Sequence, residues 1–290
     1  MRPAETPTVL YVHGAGNKPP PDELKREWDR DLFGRDMGDQ TRMVYYADLL
    51  HSAPSAIGED ACSLDEAVAA LVADAPAAPD DADLLEGLTP EGRRLALGLL
   101  LSVAAEAASQ PVPPVATVLP LPSPVRRPLL RQLLRRFLPD ADAYFFTDDK
   151  EPIRQRLRDA LDEVDGPVVL VAHSLGTAIA YDVLSEAAYA DRDVRLLATL
   201  GSPLGYSEIQ DLVHQPLRLP APVRVWANFA DPFDVIALDR TLADDFRGGP
   251  KIVDATVDNP APNNHAACGY LGASRVRSTV HAALEPPRVP

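Results

Sequence analysis

The sequence is short of cysteine, of lysine, of net positive charge and of long apolar runs, and each shortage removes a class of protein. Cys62 and Cys268 are the two cysteines in 290 residues, far apart and without metal-ligand spacing. They read as ordinary reduced thiols, which excludes a disulfide framework and a cysteine-built metal centre. Lys and Arg total 28 against 43 Asp and Glu, a net charge of −15. Phosphate binding wants a basic surface, so nucleic acid is not expected as a partner. The most apolar stretch, Leu95 to Ala105, is too short for a membrane span of about 20 residues. The N-terminal "MRPAETPTVLYVHG" lacks an apolar run of signal-peptide length and goes straight into a strand pattern, so the expected location is cytoplasmic.

What remains is a chain with 46% hydrophobic and 24% charged residues, the balance of a soluble globular protein with a large core. "TVLYVH" (8–13) reads as a strand ending at Gly14-Ala15-Gly16, and residues 22–33 read as a helix. A second strand starts at 41, and "DAYFFTDD" suggests a third at about 142–147. A helix over 151–164 tolerates Pro152 in its first turn. Strands follow at 168–172, 194–200, 223–229 and roughly 251–257, with a closing helix over about 273–284. Strands alternating with helices predict an α/β fold, a mostly parallel sheet with helices on both faces, as a single domain over 1–290.

Residues 51–140 break the rhythm and read as a helical insertion, a cap over the functional edge of the sheet. Within it, "LTPEGRRLALGLLLSVAAEAASQ" has Thr89 as N-cap and Pro90 in the first turn. A second helix, "PVRRPLLRQLLRRFLP", sets Leu129, Leu130, Leu133, Leu134 and Phe137 on one face and carries five arginines mostly off it. Those arginines have acidic neighbours in Glu59, Asp60, Asp65 and Glu66, the preferred reading; the alternative is peripheral contact with anionic lipid.

The chemistry gathers around "VVLVAHSLGTAIAYDVL" (168–184). A buried-strand run ends at Ser174, small residues flank it at Ala172 and Gly176, and helical spacing begins at once. That is the context of a nucleophile elbow, which presents a serine hydroxyl on a tight turn between strand and helix. Acyl transfer also needs oxyanion donors. The N–H of Leu175 would be one, and the loop "VHGAGN" would supply the N–H of Ala15 as the other. A dinucleotide fingerprint starting at Gly14 would want glycine at the place of Pro19, which counts against it. His13 reads as a brace for that loop, and Ser202 as a pocket or turn residue.

On "VHGAG", "AHSLG", "LGSPLG", "NFADPFDVIA" and "NNHAACGYL", the chain resembles the α/β-hydrolase superfamily, especially its bacterial lipase- and esterase-like members, over residues 8–50 and 142–285. The first glycine of the usual G-x-S-x-G is here Ala172, and the insertion precedes the elbow, whereas caps in the family often follow a later strand. The resemblance implies Ser174, an acid and a histidine in that chain order. His265, in the polar turn before the last helix, stands where the family carries its base. Asp231 and Asp234 both follow the strand where the family carries its acid. Asp234, followed by Val235 and Ile236, matches the family's acid-then-aliphatic pattern and is favoured, with Asp231 as the alternative. The implied activity is cleavage of a small-molecule or lipid carboxylic ester through an acyl-enzyme, with neither metal nor organic cofactor. A thioesterase, an acyltransferase or a non-catalytic binding module on the same scaffold are the alternatives.

Overall fold

Residues at alternate positions of a strand face opposite ways, and the central strands are apolar on both sides. Leu10 and Val12 of β1 (Thr8–Val12) join one buried cluster, while Val9 and Tyr11 join another. In β3 (Val168–His173), Leu170 and Ala172 face the first cluster and Val169 and Val171 the second. Strands buried on both faces are the mark of a parallel sheet between two helical layers. The computed structural model has that architecture; it describes residues 6–55, 88–92, 137–234, 236–237, 239–259 and 264–285.

β2 (Thr41–Val44), β4 (Val194–Leu200), β5 (Trp226–Ala230) and β6 (Ile252–Thr256) complete a sheet of six strands in the order β2-β1-β3-β4-β5-β6. Every pairing is parallel. One face is covered by α2 (Lys150–Asp162), through Ile153, Leu157 and Leu161, and by the almost wholly apolar α3 (Leu175–Leu184). The other face is covered by α1 (Pro21–Phe33), through Leu24, Trp28 and Leu32, and by α4 (Ala267–Gly272) and α5 (Ser274–Leu284). The spacing of Leu24, Trp28 and Leu32 puts them on one stripe of α1. Gly34, in the left-handed conformation at φ 73°, ends α1 and returns its N–H to Arg30.

Two expectations are corrected. Residues 142–147 were predicted as a strand, but residues 137–146 are helical. Phe137, Leu138, Ala141 and Tyr144 are its buried apolar positions, a helical spacing that extends beyond the short aromatic run read as β-propensity. The cysteines were read as reduced thiols, but Cys268 is disulfide-bonded. Distance along the chain says nothing about the Cα separation that decides whether a bridge can close. The other cysteine of the sequence, Cys62, lies outside the described residues.

Most of the insertion expected over 51–140 also lies outside them, including the apolar stretch 95–105. In the part that is described, Thr89 accepts the N–H of Gly92 at 3.0 Å through its side chain, an N-cap just before helical residues 90–92. Among the described residues no helix is long and apolar enough to cross a membrane.

Candidate active site

The sheet order reverses between β1 and β3, because the chain goes from β1 to β2 on one side and then returns to β3 on the other. In open parallel sheets the crevice beyond the carboxyl ends at such a switch point is where ligands bind. Gly14 follows β1 there, and Ser174 follows β3. A Cβ placed on Gly14 would lie 2.7 Å from the Ser174 Cβ, so the two turns touch. A Cβ on Gly176 would lie 2.4 Å from the His13 carbonyl oxygen. Only glycine lets α3 start this close to the end of β1.

Ser174 has φ 51° and ψ −128° and is the one non-glycine residue with positive φ among the described residues. Its side chain is therefore thrown out of the strand–helix path, as expected of a strained turn built to present it. His265 stands against it: Nε2 lies 2.8 Å from Ser174 Oγ, and Nδ1 lies 2.8 Å from Asp234 Oδ2. A carboxylate can only accept, so Nδ1 carries a proton and the neutral ring leaves Nε2 to accept from the serine hydroxyl. All three side chains are buried.

Asp234 also accepts the Ile236 N–H at 2.9 Å on Oδ1 and the Tyr270 hydroxyl at 2.6 Å on Oδ2. Burial opposes its charge, yet attraction to His265 and these hydrogen bonds hold its carboxyl below the usual carboxylate range. Asp231 is used differently. Its oxygens accept the N–H groups of Phe233 and Asn259, each at 2.7 Å. Burial outweighs those two donors and pushes its carboxyl up to about 6.

The two nitrogens expected to meet an oxyanion belong to elements that frame Ser174. Leu175 is the first residue of α3, where N–H groups have no partner within the helix. Ala15 lies in the loop after β1, which is fixed from several sides. Gly16 donates its N–H to Asp140 at 2.8 Å, and Lys18 Nζ donates to the Ala15 carbonyl at 2.9 Å. His13 accepts the Tyr46 N–H on Nε2 at 3.1 Å, so its Nδ1 donates to the Gly14 carbonyl at 2.8 Å. With its ring stacked on Tyr46, His13 braces the loop.

Ser202 and His281 have local tasks. Ser202 Oγ pairs with Thr177 Oγ1 at 2.8 Å and accepts the Leu204 N–H at 3.2 Å, holding the turn after β4. His281 packs edge-on against Phe33. Three residues around the Ser174–His265–Asp234 chain were not expected. His173 donates from Nε2 to the His265 carbonyl at 2.7 Å. Gly201 has φ +55°, and a Cβ there would stand 2.7 Å from Asp234 Oδ2. Tyr270 is the third. Their sequence positions carry no signal of these contacts, although the glycine of "LGSPLG" marked a close approach of some kind. Among the described residues no group of three or more His, Cys, Asp or Glu side chains is placed to hold a metal ion.

Compared with protein-family models and with curated proteins, the chain matches none. The sheet and the helices around it make the chain an α/β protein with a six-stranded parallel sheet.

Proposed function

We propose that the protein is a serine hydrolase that cleaves a carboxylic ester through an acyl-enzyme, on an α/β-hydrolase-like scaffold. One observation carries this reading: His265 bridges Ser174 and Asp234 with hydrogen bonds of 2.8 Å on either side, at the switch point of the sheet. A serine hydroxyl is a weak nucleophile until a base within hydrogen-bond reach takes its proton. Here Ser174 Oγ attacks the ester carbonyl as its proton passes to His265 Nε2. Asp234 keeps the imidazole in the required tautomer and stabilises the imidazolium. The N–H groups of Leu175 and Ala15 receive the oxyanion. His265 then gives its proton to the leaving alcohol, and water attacking the acyl-enzyme repeats the cycle. No step calls on a metal or an organic cofactor.

A fluorophosphonate probe tests this reading. It should label the wild-type chain at Ser174 and leave Ser174→Ala unlabelled. A folded wild-type chain that resists the probe would remove the hydrolase reading and leave a binding module. A p-nitrophenyl ester series graded by chain length separates short acyl esters from the lipid esters suggested by the leucine-rich insertion; thioesters and acceptor alcohols in the same assay separate a thioesterase or an acyltransferase. Liposome flotation with anionic vesicles tests the peripheral contact of the basic stretch 124–139. The disulfide at Cys268 opposes the cytoplasmic location expected from the sequence, since lasting disulfides belong to oxidising compartments.

A further inference from the structure

Tyr270 touches the acid end of the Ser174–His265–Asp234 chain from a different element. It lies in α4, fully buried, and its hydroxyl makes two hydrogen bonds. It donates to Asp234 Oδ2 at 2.6 Å and accepts the Asp231 N–H at 2.9 Å. The oxygen it donates to is the one that meets His265 Nδ1 at 2.8 Å. One carboxylate oxygen thus serves two donors, while Oδ1 is engaged by the Ile236 N–H.

We propose that Tyr270 is a positioning residue that sets the basicity of His265 through the oxygen of Asp234 they share. The inference rests on the role given to His265 above. The negative charge of Asp234 is what favours a protonated imidazole. Each donor on Oδ2 draws on that charge, so the Tyr270 hydroxyl leaves less of it for the ring. The imidazole then stays neutral, and able to act as a base, at lower pH than with His265 and Asp234 alone. Burial and the charge of Asp234 push the Tyr270 phenol well above its usual range, so it stays a donor.

The surroundings let the hydroxyl be isolated. Asp231 and Asp258 add negative charge on the acid side. The His173 ring lies 4.7 Å from that of His265, and Ser174 closes the other end. Tyr270→Phe keeps these charges and rings and removes one oxygen; it also takes the acceptor from the buried Asp231 N–H, a cost to stability that does not depend on pH.

The experiment follows the pH midpoint of the His265 ring signals by NMR of the full chain, with the acidic limb of kcat/KM in parallel. Tyr270→Phe should move both to higher pH by about 0.5–1 unit, a three- to tenfold smaller neutral fraction below the midpoint. Activity well above the limb should change far less. A tyrosine that only fills space would lower activity equally at every pH and leave both midpoints in place, which overturns the proposal. Site-specific 3-fluorotyrosine at 270 keeps the size and hydroxyl but donates more strongly, so it should move the midpoints to lower pH. An unchanged or raised midpoint there also overturns it, even if Tyr270→Phe fails to fold. Failure of the hydrolase reading shows separately, as a wild-type chain that the fluorophosphonate probe does not label.

Discussion

Asp231 and Asp234 share one loop after β5, and of the two it is Asp234 that meets His265. Asp234 Oδ2 lies 2.8 Å from Nδ1 of the ring, whereas Asp231 spends its oxygens on the N–H groups of Phe233 and Asn259. Through Asn259 it steadies the segment that carries His265: Asn259 Nδ2 donates to the Ala266 carbonyl at 2.9 Å, and Asn264 Nδ2 to the Asn259 carbonyl at 2.7 Å. Asp234→Asn should therefore lower kcat by up to about 10⁴ while the protein stays folded. Asp231→Asn keeps one acceptor oxygen of two, so it should cost stability on the order of 1 kcal/mol and much less of kcat. Ester kinetics with thermal melts on both variants check this. A crippled Asp231→Asn beside an active Asp234→Asn would move the acid to Asp231.

Asp231 also gives stability a pH dependence. Its carboxyl is raised to about 6 in the folded protein, against about 3.9 in an unfolded chain. Between those values the native state binds more protons than the unfolded state. The contribution of this group is then fully present below about pH 4, falls as pH rises, and levels off above about pH 6. Urea midpoints of wild type and Asp231→Asn from pH 4 to 7 should show the variant's deficit shrinking as pH rises. A deficit that grows with pH would mean that the two backbone donors, not burial, set this carboxyl.

Gly201 lies beneath the Asp234–His265 contact. Its φ is +55°, and an added Cβ would stand 2.7 Å from Asp234 Oδ2, 3.0 Å from His265 Nδ1 and 3.0 Å from Tyr270 Cε2. Alanine there brings about 1–2 kcal/mol of left-handed backbone strain and pushes on the acid–base pair itself. A misplacement of about 1 Å can cost 10²-fold in rate, so Gly201→Ala should lose at least about that much kcat. Gly272→Ala is the control, since nothing lies within 4 Å of a Cβ there. Equal kinetics from the two variants would show that the pair tolerates displacement.

What could be read in advance follows from how local each signal is. The turn at Ser174 was legible because an apolar strand run, a serine between small residues and a helical pattern are contiguous. The sheet was legible because Val9 and Tyr11 alternate with Leu10 and Val12 across a strand buried on both faces. The carboxylate that meets His265 was legible as one of two, with Asp234 favoured by the aliphatic residues after it; Asp231 and Asp234 occupy the same loop and differ in which backbone groups reach them. Gly201, His173 and Tyr270 meet His265 or Asp234 across 33 to 92 positions of chain, and no periodicity reports such contacts. Residues 142–147 misled because Tyr144, Phe145 and Phe146 have strand propensity. Tertiary contacts decided otherwise: Tyr144 is buried and donates its hydroxyl to Asp182 at 2.8 Å.

The backbone of Ser174 supplies the last test. At φ 51° and ψ −128°, a residue with a Cβ is held in a sparsely populated region that costs about 1–3 kcal/mol. Glycine reaches such a conformation without a Cβ clash, although its freer unfolded chain gives back about 0.4–1 kcal/mol. Alanine keeps the Cβ and the strain. Both replacements remove the hydroxyl, so neither should react with a fluorophosphonate or turn over an ester. They should differ in stability, with Ser174→Gly about 1 kcal/mol above Ser174→Ala in denaturant unfolding. That ordering reverses what the same pair of substitutions does in an ordinary helix or strand, where glycine is the weaker residue by roughly 0.5–1 kcal/mol. If Ser174→Ala proves equal or more stable, the turn holds its serine without strain. The presentation of Oγ would then rest on the contact with Gly14 and the hydrogen bond to His265 alone.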